Sequence, residues 1–282
     1  MRITLAHSPD ADDAFMFYGL ACRLVDTGRY EFQHVLADIQ TLNEKAREGV
    51  YDVTALSAAA YPAAAANYQL LPCGASVGDG YGPVVVSARQ IGAAELRDCR
   101  LAVPGLDTSA YAALRIFLHP SVPVVMVVPF DRIMECVSSG SADAGLLIHE
   151  GQLTFGAAGL HLIVDLGQWW TTETGLPLPL GVNAVRRSFP PEVKRELGWI
   201  MRQSIQYSLA HRDDALDYAL PFARGLARSL ADCFIGLYVN ELSLDLGARG
   251  RAALDSFLHQ CRTAQLLEPV TGPREPLDIA NL

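Results

Sequence analysis

Three short apolar runs, each followed by a helix-forming stretch, fill the first 67 residues and restrict the fold more than any other feature of the chain. Residues 3–7 read as a strand that Ser8-Pro9-Asp10 breaks, before a helix beginning near Asp12 whose acidic first turn suits the helix dipole. Residues 32–39 mix apolar and polar side chains like a half-exposed strand. Thr41-Leu42-Asn43-Glu44 then opens a helix as a capping box, and Gly49 closes it. Residues 52–56 form a third strand, and Ser57 stands where it can cap an alanine-rich helix over 58–67, its hydroxyl facing the crevice beyond the strand ends. A β-α-β-α-β series implies a parallel sheet with right-handed crossovers.

Beyond a glycine-rich stretch, 74–82, the alternation starts again with a strand over 83–88. The glycines form no phosphate loop, because no Gly-Lys-Ser/Thr ending and no helix follow them. A short helix over 93–97 and a strand over 101–104 lead through Gly105 to a helix starting at Thr108-Ser109. That start is either an anion site, where free N–H groups and the helix dipole converge, or an ordinary cap by Asp107 or Thr108. Residues 122–128 form an apolar strand, 131–138 a helix, and within 143–151 a strand ends at His149, with three apolar residues, Leu146, Leu147 and Ile148, between Gly145 and His149, as in a strand buried on both faces. A strand over 160–166 precedes a short helix over 168–174, whose Trp169 and Trp170 either pack between layers or stack on an aromatic ligand. The stiff segment 176–181 leads into a strand over 182–186, and the rest of the chain reads as helices that cover a sheet.

This order implies an α/β protein with two lobes, each a mostly parallel sheet flanked by helices. Residues 1–89 and 187–282 make the larger lobe and 90–186 a smaller inserted one, joined by extended crossings near Arg89 and Gly181. That is the type II periplasmic-binding-protein architecture, with a ligand cleft between the lobes. His149 ends its strand at the cleft, flanked by Glu150 and Gly151, where an imidazole can do chemistry; its position alone fits equally a histidine hydrogen-bonded within a loop. His7 also ends an apolar strand.

Charge excludes one class of partner. With 22 Lys and Arg against 31 Asp and Glu, a net charge of −9, and no basic run, nothing tracks a phosphate backbone, and nucleic acid is not an expected partner. No stretch has the length of a membrane span and the N-terminus lacks an apolar leader core, so a cytoplasmic protein is expected. The six cysteines lie far apart without a C-x-x-C pair and read as small buried hydrophobes; no metal, nucleotide or redox cofactor is expected.

Five segments carry a resemblance: residues 8–18, beginning Ser8-Pro9-Asp10; Thr54-Ala55-Leu56-Ser57 and the residues to Tyr61; Val103 to Tyr111, containing Thr108-Ser109; Leu147-Ile148-His149-Glu150; and Gly175-Leu176-Pro177-Leu178-Pro179-Leu180-Gly181. Together they are similar to the 1,4-dihydroxy-6-naphthoate synthase family of the futalosine route to menaquinone, and the similarity extends through Tyr238-Val239-Asn240 and Ser243-Leu244-Asp245. The resemblance implies conversion of cyclic dehypoxanthinyl futalosine, a small carboxylate, to 1,4-dihydroxy-6-naphthoate with release of the sugar-derived part. It implies a carbon–carbon lyase with His149 as general base and with substrate contacts from Ala55, Leu56 and Ser57 and from Thr108 and Ser109. The chain departs from the family pattern where Asp10-Ala11-Asp12-Asp13 replaces Cys-Pro-Asn-Asp, where Ala55 replaces a lysine, and where Thr108-Ser109 replaces a threonine pair. The alternatives are the chorismate dehydratase of the same route, which shares the fold, and a carboxylate-binding protein without chemistry, a class that ordinarily carries an export signal or lipid anchor.

Overall fold

The computed structural model describes residues 1–267. Through them run strands β1 (Arg2–His7), β2 (Glu31–Leu36), β3 (Val53–Ser57), β4 (Tyr68–Leu70), β5 (Ser76–Gly78) and β6 (Val84–Ser87). Then follow β7 (Arg100–Val103), β8 (Val124–Val127), β9 (Ala144–Leu147), β10 (His161–Asp165) and β11 (Leu178–Arg186). They form two sheets. The first has the order β2-β1-β3-β11-β4, with β5 also paired to β11, and the second the order β10-β6-β9-β7-β8.

The middle of each sheet is parallel, as the β-α-β series requires: β1 with β2 and β3, and β7 with β8 and β9. β6 and β11 run the other way. β6 is antiparallel to β9 and β10, and β11 to β3, β4 and β5. Each arrives from the other sheet, with no crossover helix within its new sheet to bring it round parallel. β6 lies within 1–89 yet pairs in the second sheet, and the whole of β11 lies within 90–186 yet pairs in the first. The apolar, proline-rich stretch from Leu178 is not a free linker, because Leu178 and Pro179 pair with Gly78 and Val77 of β5.

Local sequence explains most helix ends. The helix Ile39–Arg47 starts two residues before Thr41, because the Asp38 carboxylate accepts from the Thr41 N–H at 3.1 Å. The expected helix after β1 is two short ones, Ala11–Met16 and Tyr18–Ala21, broken at Phe17. After β3 the alanine run makes one 3-10 turn, Ala58–Ala60, and one helical turn, Tyr61–Ala64. Ser57 makes no cap bond there. All four residues of β9 are buried. Gly145 is required, since a Cβ on it would come within 2.6 Å of Ile133 and 2.7 Å of Val137, side chains of the helix lying on that strand.

Helices Pro191–Ala210, Arg212–Ala219 and Arg228–Tyr238 cover one face of the first sheet, burying Leu197, Met201 and Phe234 with Ile3, Leu5 and Phe15. Helix Gly247–Thr263 instead joins the two sheets: its Leu254, Phe257 and Cys261 share a core with Ala184 of β11 and Leu101 of β7. Trp170 is fully buried against Phe257, edge-on at 5.5 Å, and donates its indole N–H to Pro177 O at 3.1 Å; Trp169 sits edge-on to Phe117. Both tryptophans are packing residues. Cys73, Cys99 and Cys261 are buried, but Cys22 and Cys233 are exposed, contrary to the expectation of uniformly buried thiols. Among the described residues no helix is long and apolar enough to cross a membrane.

Candidate active site

Residues from both sheets line one cleft of about 720 Å³, part of it open to solvent. His149, Ala55, Leu56, Ser57, Thr108 and Ser109 all line it, although they come from three separate parts of the chain. β3 ends at Ser57, the second sheet supplies His149 just past β9, and the helix Ser109–Leu118 begins at the cleft. These are the carboxyl ends of parallel strands and a helix N-terminus, where side chains and free N–H groups converge.

On the hydroxyl side, the polar groups hold one another. Asn43 grips Ser57 twice, its Oδ1 accepting from the Ser57 N–H at 2.7 Å and its Nδ2 donating to the Ser57 hydroxyl oxygen at 3.0 Å. That leaves the Ser57 hydroxyl hydrogen free to donate. Thr108 is the helix cap, accepting from the Tyr111 N–H at 3.2 Å and donating to Gly105 O at 2.9 Å. Of the caps that spacing left open, this settles the assignment on Thr108, while Asp107 turns outward to Arg47 and Gln40. Ser109 donates to Leu180 O at 2.6 Å and accepts from the Ala59 N–H at 3.1 Å, tying the helix start to both β11 and the turn after β3. Asn183, on β11, donates to Gly74 O at 2.6 Å, while its buried Oδ1 has no partner among the described residues.

On the opposite side stands His149. Its backbone is left-handed, with φ of 57°, a conformation that costs a non-glycine residue roughly 1–2 kcal/mol and that tends to persist where function demands it. Nδ1 faces an Asp10 carboxylate oxygen at 3.3 Å, and the ring meets Phe130 edge-on at 4.7 Å. Asp10 is almost completely buried; it also binds the Ser8 hydroxyl and, at 2.7 Å, the Arg224 guanidinium. Arg224 reaches Glu150 as well, at 2.8 Å, and stacks over Phe130. Burial alone would raise the Asp10 carboxyl, but His149 and Arg224 beside it hold it below the ordinary carboxylate value.

Two more acids are buried next to it. Burial and the charges of Asp10 and Glu150 push Asp12 up to about 6, and burial with its acidic neighbours raises Asp13 well above the ordinary value. These residues do more than complement a helix dipole. His7 is poorly placed to act as a base: its Nδ1 lies 3.1 Å from Ser8 O and its Nε2 3.0 Å from His34 Nδ1, and burial, and then His34, push it down to about 3. A ring nitrogen of His149 and oxygens of Asp10 and Asp12 lie within 4.8 Å of one another, a spacing a cation could bridge, but the Asp10 oxygens are already engaged by Arg224 and Ser8.

Sequence reasoning missed Arg224, Tyr238 and Asn183. Arg224 sits in a loop 75 residues after His149, within the stretch read as scaffold, and no spacing marks it. Tyr238 lines the cleft beside Phe234, its hydroxyl donating to Gln152 at 2.6 Å.

Residues 3–263 match the menaquinone biosynthesis family. The chain is 38% identical to the 1,4-dihydroxy-6-naphtoate synthase of Thermus thermophilus over 96% of this chain and 98% of the relative, and 36% identical to that of Streptomyces coelicolor over 96% of each. A crystal structure from Archaeoglobus fulgidus superposes with a TM-score of 0.89 at 45% identity, covering 94% of this chain and 98% of the other. The alkanesulfonate-binding protein of Xanthomonas axonopodis superposes with a TM-score of 0.71 at 14% identity, covering 98% of this chain and 96% of that one, which shows the periplasmic-binding-protein-like fold and no more. With its fold, its cleft and its near full-length matches in agreement, the chain belongs to the menaquinone biosynthesis family.

Proposed function

We propose that the protein is a 1,4-dihydroxy-6-naphthoate synthase, a carbon–carbon lyase acting on cyclic dehypoxanthinyl futalosine with His149 as general base. The observation that carries the reading is the buried Asp10 carboxylate facing Nδ1 of the cleft histidine. A carboxylate there favours the tautomer with hydrogen on Nδ1 and leaves the Nε2 lone pair to take a proton from the substrate; it then offsets the positive charge the ring acquires. Such general-base help is worth about a hundredfold to ten-thousandfold in rate.

Charge orients the ligand. Its carboxylate is repelled by Asp10 and Asp12 and suits the other side of the cleft, where the Ser57 hydroxyl and the N–H groups at the start of helix Ser109–Leu118 are donors. The sugar-derived part then lies toward His149, where proton removal leads to carbon–carbon cleavage. Ala55 and Leu56, next to Ser57 on β3, add apolar lining beside the hydroxyl side of the cleft, while Thr108 and Ser109 act mainly by fixing the helix start. The two sheets form two lobes that close on the ligand, excluding water. The test is mass spectrometry of purified protein incubated separately with the cyclic futalosine and with chorismate. Conversion of the first alone is expected. Dehydration of chorismate, or turnover of neither, overturns the assignment.

A further inference from the structure

We propose that Arg224 is a positioning residue for His149, acting through Asp10, so that a side chain from the C-terminal helical layer sets the tautomer of the cleft imidazole. The inference rests on the reading of His149 as the base, and the geometry that motivates it is a continuous chain of contacts. Arg224 Nη2 donates to one Asp10 oxygen at 2.7 Å, and the other Asp10 oxygen faces His149 Nδ1 at 3.3 Å. The same nitrogen reaches Pro9 O at 3.3 Å, and Nη1 donates to Glu150, the residue after the histidine, at 2.8 Å. The guanidinium lies 4.5 Å from the centre of the Phe130 ring, which in turn meets the His149 ring. One planar cation thus touches both the carboxylate that faces the imidazole and the aromatic ring that abuts it.

Provenance matters here. Asp10 follows β1 of the first sheet, Glu150 and Phe130 belong to the second, and Arg224 follows the turn Leu220–Phe222 between helices packed on the first. Arg224 and His149 both have left-handed backbones, at φ of 49° and 57°, so each departs from ordinary geometry to meet the other's partners. Without Arg224, a buried carboxylate would face the histidine with only Ser8 to hold it, free to rotate away or take up a proton.

The test has one readout independent of turnover and one that depends on it. In protein labelled with nitrogen-15 at histidine, with the His149 signals assigned by their loss in His149→Asn, the wild type should show Nδ1 protonated and Nε2 as the free lone pair. Asp10→Asn, whose amide can donate to Nδ1, should shift the ring toward the Nε2–H tautomer, and Arg224→Gln should give a mixture of the two. Arg224→Lys, able to pair with Asp10 but not to span both carboxylates, should restore part of the wild-type signal. With cyclic futalosine, kcat should fall at least tenfold in Arg224→Gln while KM stays within about threefold, and the lysine variant should recover part of kcat. A wild-type tautomer in Arg224→Gln, or in Asp10→Asn, with the variant confirmed as folded by its unfolding transition, overturns the proposal. If the tautomer shifts as expected but the wild type leaves the futalosine untouched, the positioning role stands and the substrate assignment fails.

Discussion

Replacing Asp12 with asparagine should stabilise the protein, and by an amount that depends on pH. Asp12 is buried, and its carboxyl is raised from 3.8 to about 6 by that burial and by the charges of Asp10 and Glu150. A group with a raised native value binds its proton more tightly when folded. Its favourable contribution is complete below pH 3.8 and is lost as pH rises through 6. The loss is 6 − 3.8 = 2.2 pH units, worth about 3 kcal/mol at about 1.36 kcal/mol per unit. Asparagine is neutral throughout and keeps an oxygen to accept from the Ser76 hydroxyl, now at 3.3 Å, so it removes the cost without leaving that donor unpaired. Because Asp12 also helps to raise Asp13, part of that neighbour's strain is relieved as well. Urea unfolding of both proteins from pH 4 to 8 should therefore give nearly equal stabilities at pH 4 and a gain for the variant of up to about 3 kcal/mol at pH 7. At roughly 2 °C per kcal/mol for a chain of this size, Tm should rise on the order of 6 °C at neutral pH. A difference that does not change with pH would refute the electrostatic reasoning, as would a variant less stable than wild type at pH 7.

Three further outcomes follow from the site. His149→Asn keeps a residue type that tolerates the left-handed backbone, so ligand affinity by calorimetry should stay within about tenfold while turnover drops at least a hundredfold; a near wild-type rate would make the histidine structural. Thr108→Ala removes a helix cap and should cost about 1 kcal/mol in chemical unfolding, and Ser109→Ala should cost a similar amount by leaving Ala59 N–H and Leu180 O unpaired; full stability in both would mean that water replaces them. Small-angle scattering should show a smaller radius of gyration with saturating ligand, through movement about the segments that pass between the sheets, 79–83 between β5 and β6 and 175–177 before β11, since Gly181 lies inside β11 and Arg89 follows β6; an unchanged radius would refute closure from an open state.

The sequence determined the elements that local chemistry controls. The β-α-β alternation fixed the parallel centres of both sheets, because strands buried on both faces must be continuously apolar and helices between them must be amphipathic. It also marked the strand ends and the helix start that line the cleft, since ligand sites collect there for topological reasons: Ser57 and His149 close apolar runs, and Thr108 and Ser109 open a helix. Sheet membership of β6 and β11 was not legible. A strand that crosses from one sheet to another carries the same apolar pattern whichever partner it takes, and only the pairing of Leu178 with Gly78 and of Val85 with Leu146 decides it. The charges around His149 were illegible for a related reason. Asp10, Glu150 and Arg224 are separated by 140 and 74 residues along the chain, and each alone is an ordinary surface residue type. Only when folding takes them out of water, where an unpaired charge is costly and a paired one is held in place, do they become the groups that orient the imidazole.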